Sequence, residues 1–79
     1  MTILLCDFKV GYKGVIKNVN GEGRVRRRLF DMGVTNGAEV VMVKKAPLGD
    51  PIEVTIRGYE LTLRKDEAKL IEMELEEEL

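Results

Sequence analysis

Four arginines fall within five positions, Arg24, Arg26, Arg27 and Arg28, and they are the densest patch of side-chain chemistry in the sequence. Guanidinium groups keep their charge and fork onto phosphate oxygens. With Lys44 and Lys45 they could supply the phosphate contacts of a small nucleic-acid-binding barrel. Such a protein also needs bases stacked on aromatic rings, and Phe8, Tyr12, Phe30 and Tyr59 are scattered rather than gathered into a platform. Gly21-Glu22-Gly23 stands just before the arginines. Backbone N–H groups at a helix start attract anions. The lysine and spacing of a phosphate loop are missing, and so is the dinucleotide fingerprint, so the segment reads as a loop into a helix cap.

Nucleophilic chemistry has no material to work with. The sequence holds no histidine and no serine, and Cys6 is its one cysteine. Neither a Ser–His nor a Cys–His pair can be assembled. The carboxylates that could pair are Asp66 with Glu67 and the series Glu72, Glu74, Glu76. The series alternates along a terminal strand and reads as a solvated face. One thiol, no imidazole and dispersed carboxylates make no ligand set with usable spacing. No catalytic residue, no metal site and no cofactor are expected. What remains is protein recognition. Phe30 sits off the apolar side of its helix beside Arg27, and Leu48 stands between Pro47 and Gly49 in a Pro-flanked loop. An aromatic and a leucine exposed beside arginines make a small hot spot.

The elements that must hold these residues follow from periodicity. Pro47, Gly49 and Pro51 make a stiff, turn-rich loop. After it Ile52, Val54 and Ile56 alternate with polar residues, Gly58 turns the chain, and Tyr59, Leu61 and Leu63 resume the inward pattern. This is a hairpin signal. Lys65 to Ala68 breaks the alternation as one helical turn, and a last strand runs from Leu70 to Leu75. Upstream, Thr2 to Phe8 could add an edge strand, Gly11 and Gly14 bracket a turn, and Val15, Ile16 and Val19 mark a strand. Val25, Leu29 and Met32 form one apolar stripe, which predicts a helix over about 24–32, with Gly33 at its left-handed cap. That helix is too short to stand alone and must lie on the sheet. Ala38 to Lys45 has apolar residues on both faces and predicts a central strand, with barrel interior on one side and the helix on the other. The whole is mainly β: a small closed or half-closed barrel of five to six strands with one inserted α-helix.

At 79 residues the chain is expected to be a single domain over 1–79, with 75–79 a frayed acidic tail. The formal net charge is −1, but it is unevenly spread. Through Lys65 there are 12 Lys/Arg against 7 Asp/Glu, and from Asp66 onward 1 against 7. A mildly basic body carries an acidic end. No targeting segment or membrane-length apolar run is visible, so a cytoplasmic protein without direct membrane insertion is expected.

One family resemblance is carried by an ordered set of motifs. Arg27-Arg28-Leu29-Phe30-Asp31-Met32-Gly33-Val34-Thr35-Asn36-Gly37 resembles the Arg-Leu-x-x-Leu-Gly-(aliphatic)-x-x-Gly stretch of the ferrous iron transport protein A (FeoA) family. Ala46-Pro47-Leu48-Gly49-Asp50-Pro51, then Arg57 to Arg64 and Glu67-Ala68, resemble its second half, and Gly11 and Ile16 its opening. The likeness runs from about Phe8 to Glu74. Asn36 stands where proline is common in the family, and the acidic end is an addition. The same module occurs at the C-terminus of some metal-dependent repressors. No DNA-binding domain precedes it in these residues, which favours the transport accessory. The resemblance implies an SH3-like β-barrel that is not an enzyme. It also implies a partner, the membrane ferrous iron transporter with its cytosolic GTP-binding domain, and a regulatory or supporting role by contact. Arg27, Arg28, Phe30, Pro47, Leu48 and Gly49 are the residues expected to make that contact.

Overall fold

The structure is a computed structural model, and it describes residues 1–77. Six strands form one antiparallel sheet: β1 (Thr2–Leu4), β2 (Lys13–Val19), β3 (Glu39–Lys45), β4 (Ile52–Ile56), β5 (Tyr59–Leu63) and β6 (Ile71–Glu77). Their spatial order is β1-β6-β2-β3-β4-β5. Helix α1 (Gly23–Asp31) lies between β2 and β3 in the chain, and the single turn α2 (Lys65–Ala68) between β5 and β6. The Thr2–Leu4 segment is an edge strand as expected, paired with β6 through Ile3 and Met73, and a 3-10 turn at Leu5–Asp7 follows it.

Alternation drives the burial. Ile52, Val54 and Ile56 on β4, Val40 and Met42 on β3, and Ile71 and Met73 on β6 are each 0–1 % exposed. They join Leu5, Phe8, Ile16, Leu29 and Leu63 in one apolar cluster. Burying each such side chain is worth about 1.5–3 kcal/mol relative to leaving it in water. Phe8 meets Tyr12 edge to face, ring centroids 5.7 Å apart. The β4–β5 turn has Arg57 at φ 49° and Gly58 at φ 84°, the two positive values of a type I′ turn, whose twist matches that of the flanking strands.

The structure corrects five expectations. Gly14 is not in a turn but buried within β2, opposite Leu75. The reason is close approach: a Cβ at Gly14 would lie 2.5 Å from the Glu74 carbonyl oxygen. Val25 is exposed and takes no part in an apolar stripe: the first turn of the helix, Gly23–Asp31, stands clear of the core, and only Leu29 is fully seated. β3 is not covered on both faces: Val40 and Met42 are buried, Val41 and Val43 alternate onto the outer face where Val43 stays exposed, and a bulge between Met42 and Lys44 brings Lys44 out as well, opposite Glu53. Tyr59 does not face inward but is exposed beside the turn, where its hydroxyl is held by α1. Finally, β6 continues to Glu77 by pairing with Lys13, so most of the expected tail is strand; positions 78 and 79 lie outside the described residues. Its glutamates have partners as well: Glu72 accepts from Asn20 Nδ2 at 2.6 Å, and Glu74 from the Met1 amine. That amine, by hydrogen bond first and then by charge, holds the Glu74 carboxyl below its usual range.

Gly14→Ala tests the β2–β6 crossing. The added methyl must displace backbone, so denaturant unfolding is expected to lose about 1–3 kcal/mol. An unchanged midpoint would show that the crossing yields freely.

Candidate partner-binding surface

Helix α1 presents its whole first half to solvent: every residue from Gly21 to Arg28 is exposed. Its four arginines have different fates. Arg26 lies back over the ring of half-buried Phe30, 4.4 Å from the centroid, and its Nε donates to the Val19 carbonyl at 3.1 Å. The expected neighbour of Phe30 was Arg27. The helix places Arg26, four residues before, over the ring instead. Arg28 Nη1 stands 3.2 Å from Glu67 Oε2. Among the described residues Arg24 and Arg27 meet no hydrogen-bonding or ionic partner.

The loop at Pro47–Gly49 does expose its leucine. Leu48 is 90 % exposed, beyond the reach of the core. The tip is pinned beneath it: Gly49 N–H donates to the Ala46 carbonyl at 2.7 Å, and Ala46 N–H to the Pro51 carbonyl at 3.1 Å. Gly49 takes φ 79°, a left-handed conformation that needs a glycine, and the Asp50–Pro51 bond is cis. A shallow groove of about 240 Å³ runs beside the loop, lined by Lys44, Ala46, Pro51, Ile52, Glu53 and Thr62.

Helix and loop are each tied to α2. Glu67 is 7 % exposed, and its Oε1 accepts from the Arg64 N–H at 2.9 Å, closing the first turn of α2. Its Oε2 is buried without a well-aligned hydrogen bond, and the Arg28 guanidinium faces it as a charge. Toward the loop, Lys65 N–H donates to Asp50 Oδ1 at 3.0 Å. The far end of α1 is tied to the β4–β5 turn. Tyr59 hydroxyl donates to the Met32 carbonyl, Arg57 Nε donates to the Gly33 carbonyl at 3.0 Å, and Arg57 Nη2 donates to Thr35. Gly33, at φ 89°, has the Tyr59 oxygen 2.7 Å from where a Cβ would be, so it is fixed by both conformation and space.

Sequence reasoning found the exposed leucine and the arginines but not Glu67, Arg57 and Tyr59, which position them. Glu67 stands where the glutamate of a capping box belongs, but Arg64 occupies the Ser/Thr position, which masks the signal. The side chain of Cys6 is partly buried. Burial first, and then the charge of Asp7, push its thiol up against the opposing pull of Lys45, Lys69 and Lys65. A protonated thiol is a poor nucleophile. Among the described residues no three Cys, Asp or Glu side chains gather as a metal site would need, and no helix is long and apolar enough to cross a membrane.

The structure is a small SH3-like barrel whose exposed features include a basic helix and an apolar loop tip. The family follows from comparison: residues 3–75 match the FeoA domain model, and the chain belongs to that family. Over 71 residues it is 38 % identical to a Fe(2+) transport protein A/Fe(2+) transporter FeoB fusion protein of Porphyromonas gingivalis. That match takes in 90 % of this chain and 8 % of the fusion protein, so the chain spans a small part of that relative's length. Among solved structures, a FeoA-like protein from Clostridium acetobutylicum superposes with a TM-score of 0.90 at 41 % identity, covering 99 % of this chain and 91 % of that one. The zinc complex of Stenotrophomonas maltophilia FeoA, described as a prokaryotic SH3 domain protein, superposes at 0.79 with 29 % identity, covering 91 % and 89 %.

Two truncations should separate the roles at the α1–α2 junction. Glu67→Ala removes the acceptor of the Arg64 N–H from a buried place and is expected to cost about 2 kcal/mol. Arg28→Ala removes a mostly exposed partner and opens Oε2 to water, so about 0.5–1 kcal/mol is expected. Equal losses in urea titrations would mean that the ion pair, not the backbone hydrogen bond, holds α2.

Proposed function

We propose that this chain is a cytoplasmic accessory of bacterial ferrous iron uptake that regulates or supports a FeoB-type membrane transporter by direct contact. The observation that carries this reading is the relative in which transport protein A and the FeoB transporter are named as one fusion protein. Joining two modules in one polypeptide raises their effective concentration, which is useful when they act on each other. The cytosolic GTP-binding domain of the transporter is the part taken as the target. Arg27, Arg28 and Phe30 on α1 and Pro47, Leu48 and Gly49 in the loop form the contact. The chain performs no chemistry itself. It changes the transporter's equilibrium between states by binding one of them better.

The geometry supports the assignment in parts. Leu48 offers an apolar anchor on a pinned loop, and such anchors lose little freedom on binding. Phe30 and Arg28 would meet a partner from held positions, since one packs under Arg26 and the other faces Glu67. Arg27 stands free to reach a partner. The nucleic-acid alternative is weakened on the same grounds. Arg26 and Arg28 are engaged within the protein, and Phe8 and Phe30 are packed rather than open to a base.

Calorimetric titration of the protein into the full-length transporter in detergent, with GDP and with a non-hydrolysable GTP analogue, tests the reading. Binding is expected in at least one nucleotide state. Leu48→Asp is expected to weaken it by about 1–2 kcal/mol while leaving the fold unchanged. Unaltered affinity in that variant would remove the loop from the contact. No heat and no change in GTPase rate with the parent protein would overturn the reading itself.

A further inference from the structure

We infer that the surface accepting this module is an acidic one, a set of carboxylates disposed around an apolar socket for Leu48; the inference rests on reading α1 and the Pro47–Gly49 loop as the contact. Three elements are tied into one band: α1 to α2 through Arg28 and Glu67, and α2 to the loop through Lys65 N–H and Asp50 Oδ1. The charges of this band are unequally satisfied. Arg24, Arg27, Arg64, Lys65 and Lys69 are all exposed, and among the described residues none of them has an ionic partner. The carboxylates of the band left without an ionic partner are fewer, Glu22, Asp31 and Asp66. Asp50 is taken up by a backbone N–H, and Glu67 is buried.

The acidic side chains that could have balanced the band are turned elsewhere. Glu72 bonds Asn20, and Glu74 bonds the Met1 amine and Thr2, across the strands on either side of β6. A chain with a formal net charge of −1 thus presents a basic face with an unshielded leucine at its border. Opposite potentials steer association and select the partner that can complete them. A lipid surface would take the same charges. One leucine is a shallow anchor in lipid, where stable attachment takes two signals. Arg24 and Arg27 are also three residues apart on a formed helix, neighbours on one face, a spacing suited to forking onto fixed carboxylates.

Binding of the protein to the detergent-solubilised transporter, followed by surface plasmon resonance at low and at high salt, tests the inference. The variants are Arg27→Glu/Lys65→Glu and, as a control on β6, Glu76→Gln. Both changed faces are exposed, and circular dichroism checks that each variant folds. The association rate of the parent is expected to fall about tenfold between 50 and 500 mM NaCl as screening sets in. The double reversal is expected to lose about tenfold at the lower salt and little at the higher. Glu76→Gln is expected to match the parent. Binding that is salt-insensitive and unaffected by the double reversal overturns the acidic face and leaves the transporter contact standing. No binding of the parent at either salt overturns both. Binding to vesicles of phosphatidylserine and phosphatidylcholine, with none to the transporter, overturns both and assigns the band to lipid.

Discussion

The arrangement of the exposed band depends on one buried carboxylate. Glu67 is almost wholly removed from water, which is costly for a charge unless its oxygens are met. One oxygen is met by the Arg64 backbone and the other only by the approach of Arg28. The first contact shapes a four-residue turn that could not persist as an isolated helix. The second fixes how α1 lies against that turn. Lys65, the next residue after Arg64, then passes the constraint on to Asp50 and the loop. A single acidic side chain thereby links α1, through Arg28, to the turn that holds the Pro47–Gly49 loop.

The other end of α1 is held by different means. The helix stops at Met32 because Gly33 turns left-handed, and the turn presents its carbonyls outward. Those of Met32 and Gly33 would be unmet helix-end acceptors. Tyr59 and Arg57, from the β4–β5 hairpin, satisfy both. Arg57 can do so from a positive-φ position of the turn, uncommon for a residue with a side chain. With Glu67 at one side and the hairpin at its end, a nine-residue helix needs only Leu29 as a fully buried anchor. This frees its arginines for the surface.

The sheet was readable because alternation and burial agree over β4, the hairpin turn and the one-turn α2. The errors share a cause. Gly14 reads as a turn residue, but its reason for being glycine is a carbonyl from β6, which is 60 positions away and leaves no local trace. Val43 looks like core by composition, but it alternates with buried Met42 onto the outer face of β3, and no element covers it. Val25 and Tyr59 carry the right residue type for an apolar face, but the first turn of the helix stands clear of the core and the Tyr59 hydroxyl is drawn to the Met32 carbonyl. The exposed leucine was legible because nothing near it in sequence could bury it. The partition of four arginines into two engaged and two free was not, since it depends on Val19, Phe30 and Glu67 in space.

These constraints bear on how the module would act on a partner under the proposed reading. Fixed elements lose little conformational freedom on docking, so more of the contact energy reaches the partner. That energy moves the partner only to the extent that the band fits one of its conformations better than another. A loosely held helix or loop would adapt to both and favour neither. Burial of Glu67 and capture of the Met32 and Gly33 carbonyls therefore do more than stabilise a small barrel. They hold the elements that carry Leu48 and the free arginines in place, which is what the proposed contact would need to favour one state of a partner over another.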